Sequence, residues 1–166
     1  VMRRGFRSAH LFTGDFMFSG KPIEYQDSPL TNDGFWPDMN LSDFQRSRSI
    51  PADVDAETVA NALLTAAAEV NSGLAGVQEK HRAAGYQTAA DVPGVSMNGI
   101  SQLAAQYKKA VYARAKADLM GEFASVGRRE SHPGQESDET RKGLLAEASV
   151  TIRLIKGLKR ATVRQV

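Results

Sequence analysis

Three runs of apolar residues at helical spacing constrain this chain more than any other feature. Val59, Leu63, Ala66, Val70, Leu74 and Val77 step by three or four. So do Leu103, Tyr107, Val111, Ala115, Leu119 and Phe123, with Met120 beside them, and Leu145, Ala148, Ile152 and Ile155, with Leu144 alongside. That spacing puts each set on one face of an α-helix. The first helix is expected over about 55–84. Asp55 suits its N-cap, Glu57 complements the positive end of the dipole, and Gly85 ends it in the left-handed conformation. Gly73 and Gly76 inside it each cost roughly 1 kcal/mol against alanine, so they mark a close helix approach or a bend. The second helix is expected over about 100–126 and the third over about 138–157, with Lys156 in its last turn. Tyr86 to Gly99, containing Asp91-Val92-Pro93-Gly94, reads as a connecting loop, with Asn98-Gly99 a turn signal. Gly127 to Gly134 reads as a polar, mobile one.

Helices of ~27–30 residues span ~40–45 Å. The expected fold is therefore all-α: an elongated antiparallel bundle of three long helices plus a short one over 40–47. An extended N-terminal arm (1–50) precedes the helical bundle domain (51–158), and an extended C-terminal tail (159–166) follows it.

The stripes are narrow and rich in alanine, which makes a thin core. The large apolar groups lie elsewhere. Of the 7 Phe, 1 Trp and 4 Tyr, eight fall in the first 44 residues: Phe6, Phe12, Phe16, Phe18, Tyr25, Phe35, Trp36 and Phe44. Gly14, Gly20, Pro22, Pro29, Gly34 and Pro37 punctuate that stretch. Phe16-Met17-Phe18 and Ile23-Glu24-Tyr25 alternate around Ser19-Gly20-Lys21-Pro22, as in a short β-hairpin. A lone hairpin is marginal in water unless its apolar face is covered. The expectation is that this arm packs on something outside its own chain.

Charge is unevenly placed although the net is only +2. From Asp15 to Asp43 there are six acidic residues against Lys21, and from Arg141 to Arg164 seven basic residues against Glu147. An acidic arm and a basic tail favour head-to-tail attraction between copies. Two solvated faces without a partner would give the same pattern.

The residues offer little chemistry. There are no cysteines, so disulfides and thiolate metal sites are excluded. His10, His81 and His132 fall in different elements, and none has a second ligand at helical spacing. Ser131-His132 lacks a partnered acid, and no glycine-rich phosphate loop is present. The expectation is no enzyme, no metal and no cofactor. No run approaches the ~20 apolar residues of a membrane helix. Arg3-Arg4 is followed by no apolar segment of the signal-peptide kind. The cytoplasm or the inside of a virus particle would suit such a chain. The tail Lys156–Val166 is basic, and Thr162-Val163-Arg164-Gln165-Val166 alternates, so it can add a strand to a partner's edge. A solvated chain end is the plainer alternative. Its basic residues have no aromatics nearby to stack on bases, which weakens a nucleic-acid reading.

Several segments carry a resemblance. Phe35-Trp36-Pro37-Asp38-Met39 resembles the aromatic-aromatic-Pro-Asp-apolar segment of the head completion proteins (gpL type) of tailed, P2-like bacteriophages. Ala84-Gly85-Tyr86 with Ala90-Asp91-Val92-Pro93 is similar to theirs. So are Tyr107-Lys108-Lys109-Ala110-Val111 with Ala115, Ala117 and Leu119, and the tail pattern of Ile155, Gly157, Arg160, Val163, Gln165 and Val166. The pieces occur in order over roughly residues 22 to 166. Residues 1–14 and the Ser131–Gly134 loop have no counterpart and inherit no role.

The resemblance implies a structural virion protein, a helical adaptor forming a ring of twelve copies between portal and tail. It implies as partners the portal protein and a tail-side neck or tail terminator protein, with packaged DNA passing through the ring without sequence-specific contacts. It places the protein at the virion neck, and in the host cytoplasm during assembly. On this reading Arg160, Thr162, Val163, Arg164, Gln165 and Val166 dock on the portal. Phe16, Phe18, Ile23, Tyr25, Phe35, Trp36 and Asp38 meet a neighbouring subunit. The alternative is a small helical DNA-binding or DNA-packaging accessory protein.

Overall fold

A computed structural model of the chain describes residues 25–126 and 138–158, with the backbone alone at 121–126 and 138–139. In chain order the elements are β1 (Pro29–Leu30), β2 (Met39–Asn40), α1 (Leu41–Ser47), α2 (Ala56–Ala83), β3 (Ser96–Met97), β4 (Ile100–Ser101), α3 (Gln102–Val126) and α4 (Asp138–Ile155). The fold is mostly helical, with two small antiparallel pairings, β1 on β2 and β3 on β4.

The helix ends follow local chemistry. The Asp55 carboxylate accepts from the Thr58 backbone N–H at 2.8 Å and from its hydroxyl at 3.0 Å, which opens α2. Those bonds hold Asp55 below the usual carboxylate range. At the other end Gly85, at φ 95°, carries the turn that a residue with a Cβ adopts only under strain. It lets Tyr86 N donate to His81 O at 3.1 Å and Gly85 N to Arg82 O at 3.0 Å, so the last carbonyls of α2 are satisfied. Asn40 caps α1 by accepting from Ser42 N at 2.9 Å. α4 ends at Ile155, two residues before the expected Gly157, through the same pair of bonds from Gly157 and Leu158.

α3 lies in the middle. Asn71 and Glu69 of α2 meet Tyr107 and Arg114 of α3 respectively. Arg141 and Glu147 of α4 meet Ala117 and Lys109. In both pairs of helices the partner number falls as the residue number rises, so α3 runs antiparallel to each neighbour. Its expected stripe is buried from Leu103 to Leu119, but so are Ala104, Ala110, Tyr112, Ala113, Ala117 and Met120. A helix covered nearly all round needs small side chains where its neighbours approach, and alanine supplies them. The three stripes are therefore unequal: α3 is the hub that α2, α4 and the N-terminal segment enclose.

That segment corrects the thin-core expectation. Phe35, Trp36 and Phe44 retain 1%, 2% and 0% of their surface. They join Met39, Leu41 and Ile50 in the same core as the α2 and α3 stripes. Burying three aromatic side chains contributes several kcal/mol, so the missing bulk of the alanine-rich helices comes from residues 35–50. A second correction concerns Gly73 and Gly76. A Cβ at either position would meet nothing within 4 Å, so among the described residues no helix approaches closely there. A third is at the start of α3. Helix was expected from about 100, but Ile100 and Ser101 pair with Ser96 and Met97 across an Asn98-Gly99 turn. Both turn residues have positive φ, 50° and 76°, the geometry for which Asn-Gly is favoured in two-residue hairpins. The hairpin expected over 16–25, apart from Tyr25, the polar loop 127–134 and the tail 159–166 lie outside the described residues.

Candidate assembly surfaces

The residues proposed for contact between copies divide sharply. Phe35 and Trp36 are used inside the chain, which corrects that assignment. The Asp33 carboxylate accepts from both backbone N–H groups, each at 3.0 Å, and turns the chain so that the two rings enter the core. Trp36 stacks on Tyr107 of α3, with centroids 4.7 Å apart and planes at 9°. Phe35 sits edge-on to Trp36 and parallel to His81 of α2, with Arg82 over its face. Rings enclosed this way cannot also reach a neighbour.

A closed set of hydrogen bonds locks the same place. The Tyr107 hydroxyl donates to Asn71 Oδ1 at 2.6 Å, Asn71 Nδ2 donates to Asn32 Oδ1 at 2.8 Å, and Asn32 Nδ2 donates to the Tyr107 oxygen at 2.9 Å. One residue each from the N-terminal segment, α2 and α3 thus completes a ring. Burial pushes the Tyr107 phenol up to about 12, which keeps the donating proton in place. The tertiary partners of Asn32 and Asn71 gave no periodic signal in the sequence, because each depends on residues far away in the chain.

A charged clamp secures the other side. Arg48, just past α1, grips Glu147 of α4 through both guanidinium nitrogens at 3.2 and 3.0 Å and also donates to the Lys109 carbonyl at 3.0 Å. The Arg48 hydrogen bonds hold the Glu147 carboxyl below the usual range.

Asp38 is exposed and accepts from Asn32 N at 2.7 Å, so it shapes its own turn while its outer side faces solvent. Tyr25 is half-buried beneath Arg46, 5.7 Å from the guanidinium carbon to the ring centre. Phe16, Phe18 and Ile23, and the tail residues Arg160, Thr162, Val163, Arg164, Gln165 and Val166, lie outside the described residues.

What sequence reasoning missed is where apolar groups face water. Leu64, Val95, Met97, Ile100, Val150, Leu154 and Leu158 are all exposed. Val150 and Leu154 lie four residues apart on α4, about a third of a turn round from its buried Ala148, Thr151 and Ile155, and Leu158 follows just past the Gly157 turn that closes the helix. Val95, Met97 and Ile100 belong to the β3–β4 hairpin. Among the described residues no group of three or more His, Asp or Glu is placed to hold a metal. None of the described helices is long and apolar enough to cross a membrane.

Comparison with known proteins adds the lineage. The family described as phage head completion protein (GPL) matches residues 30–166. The chain belongs to that family. A "Probable head completion/stabilization protein" of Haemophilus phage HP1 is 39% identical to it over 147 residues, 89% of this chain and 98% of that relative. No solved structure matches the chain.

As a head completion protein it is a structural phage protein. The resemblance of Phe35-Trp36-Pro37-Asp38-Met39 to the family's segment now has a physical content. Phe35, Trp36 and Met39 fill the core, and Asp38 fixes the turn that delivers them. The family match opens at residue 30, inside β1, and so takes in the whole Asn32–Asn71–Tyr107 network. Phe16, Phe18, Ile23 and Tyr25 precede it.

Proposed function

We propose that this head completion protein is a head-to-tail adaptor. Twelve copies close into a ring beneath the portal after DNA is packaged. The ring offers its far surface to a tail-side neck or tail terminator protein, and DNA passes through without sequence-specific contact. The protein is thereby a neck component of the virion and assembles in the host cytoplasm.

The observation that carries this reading is the exposed apolar residues at the end of α4 and just past it. Val150, Leu154 and Leu158 are 39%, 46% and 47% exposed, and they lead directly to the basic tail. Exposed apolar residues followed in the sequence by a basic segment of alternating pattern suit a partner protein. On this reading Arg160, Thr162, Val163, Arg164, Gln165 and Val166 dock on the portal. Phe16, Phe18, Ile23 and Tyr25, with the outer side of Asp38, face the neighbouring subunit.

Deleting residues 160–166 tests the assignment. The shortened chain is expected to keep its helical content and to lose capture by purified portal protein in a pull-down. Unchanged capture would remove the tail from the portal contact. Electron microscopy of the full chain mixed with portal reads the ring and its copy number directly. Salt-sensitive binding to duplex DNA without portal capture would instead favour a packaging accessory.

A further inference from the structure

The β3–β4 hairpin is built with its apolar face outward. Met97 and Ile100 are cross-strand partners beside the turn, and Val95 lies two residues before Met97, so all three share one face. They are 77% (Val95), 76% (Met97) and 49% (Ile100) exposed. On the opposite face Ser101 is buried and donates through its hydroxyl to the Ala89 carbonyl at 2.8 Å, while its cross-strand partner Ser96 is exposed. A hairpin serving only its own chain would turn these faces the other way. No charged residue occurs from Val92 to Tyr107 in a chain that is 24% charged. Depletion of charge around exposed apolar groups is the mark of an interface centre.

A receiving surface exists on the same chain. Ser28, Pro29, Leu30, Thr31, Leu41, Ala60, Leu63 and Leu64 line a groove of about 250 Å³, and none of these described lining residues is charged. Leu64 stands at its side, 58% exposed. The groove lies near the start of α2 and the hairpin near its end. At 1.5 Å per residue, Leu64 and Ala83 are ~28 Å apart along the helix. Ser101 pins the hairpin where it stands, so it cannot fold back onto its own groove.

We infer that the Val95–Met97–Ile100 face of one copy seats in the Leu30–Leu64 groove of the next. The inference rests on the reading of this protein as a self-assembling adaptor and names the surfaces that do it. A convex apolar tip and a mainly apolar groove at different places on one chain make a heterologous contact. Repeated contacts of that kind propagate head to tail and close into a ring when the rotation allows.

The absence of native cysteines makes the test direct. Met97→Cys and Leu64→Cys chains are mixed at high concentration, with and without portal, and oxidised. The expected product is a 64–97 linked dimer. The chain carrying both substitutions is expected to give a ladder, and neither single variant should dimerise with itself. Met97→Glu, at a solvent-exposed site, should keep the wild-type circular dichroism and reduce the assembled fraction at least tenfold by sedimentation. Wild-type assembly without a 64–97 link would overturn the inference and leave the ring reading standing. Absence of assembly even with portal would overturn both. A 97–97 link would show a two-fold contact, and a link from a cysteine at 97 to the portal would give the hairpin to that partner; either overturns the inference.

Discussion

The indole of Trp36 lies flat on the phenol ring of Tyr107, 4.7 Å between centroids and 9° between planes. The two residues are 71 positions apart, yet this contact joins the N-terminal segment to the central helix. Around it the Asn32–Asn71–Tyr107 bonds bring in α2 as well. Residues that resemble a family motif are thus first a folding device: they close the bundle and leave other surfaces for partners.

Trp36→Ala should destabilise the isolated subunit by about 3–5 kcal/mol, the cost of emptying a large aromatic site. Urea unfolding followed by circular dichroism measures it. A change confined to ring assembly, with unaltered subunit stability, would contradict the burial described above.

Tyr107→Phe keeps the stacked ring but removes the hydroxyl that Asn32 and Asn71 share. The expected loss is about 1–3 kcal/mol, because two polar groups are left without their partner. Combined with Asn71→Ala, the losses should be strongly non-additive, since either change opens the same closed ring. A double-mutant cycle on unfolding free energies reads the coupling.

Glu147 ties stability to acid. Its pKa is depressed in the folded chain by the Arg48 hydrogen bonds, so the unfolded chain takes up the proton more readily. Its contribution is present above the ordinary glutamate range and is lost as the pH falls through the folded value below it. Glu147→Gln should lower Tm at neutral pH, and the gap from wild type should close in acid. A gap independent of pH would mean that the Arg48 clamp does not act through charge.

Gly73→Ala and Gly76→Ala should each stabilise α2 by up to about 1 kcal/mol, since alanine is the better helix former and both positions have room for a methyl group. Thermal unfolding measures the gain. A loss would contradict the room for a methyl group at these positions.

The helices were legible because their signals are local. Asp55 caps α2, Gly85 closes it, and the step of three or four residues gave the α2 and α3 stripes and much of α4. The order of motif fragments likewise pointed to the family to which the chain belongs. All of these follow from dihedral preferences and a 3.6-residue period, which neighbouring residues set between them. The destination of the aromatic segment was not legible. Phe35, Trp36 and Phe44 have no period, and whether they fill their own core or a neighbour's depends on contacts with residues such as His81, Tyr107 and Tyr112. The outward face of the β3–β4 hairpin was equally hidden, because the bond from the buried Ser101 hydroxyl to the Ala89 carbonyl is a tertiary contact that no local pattern announces. Sequence alone determined which segments become long helices and, through Asp55 and Gly85, how α2 begins and ends. Only the tertiary structure decided which apolar groups are enclosed and which remain available, since that choice is made by long-range packing.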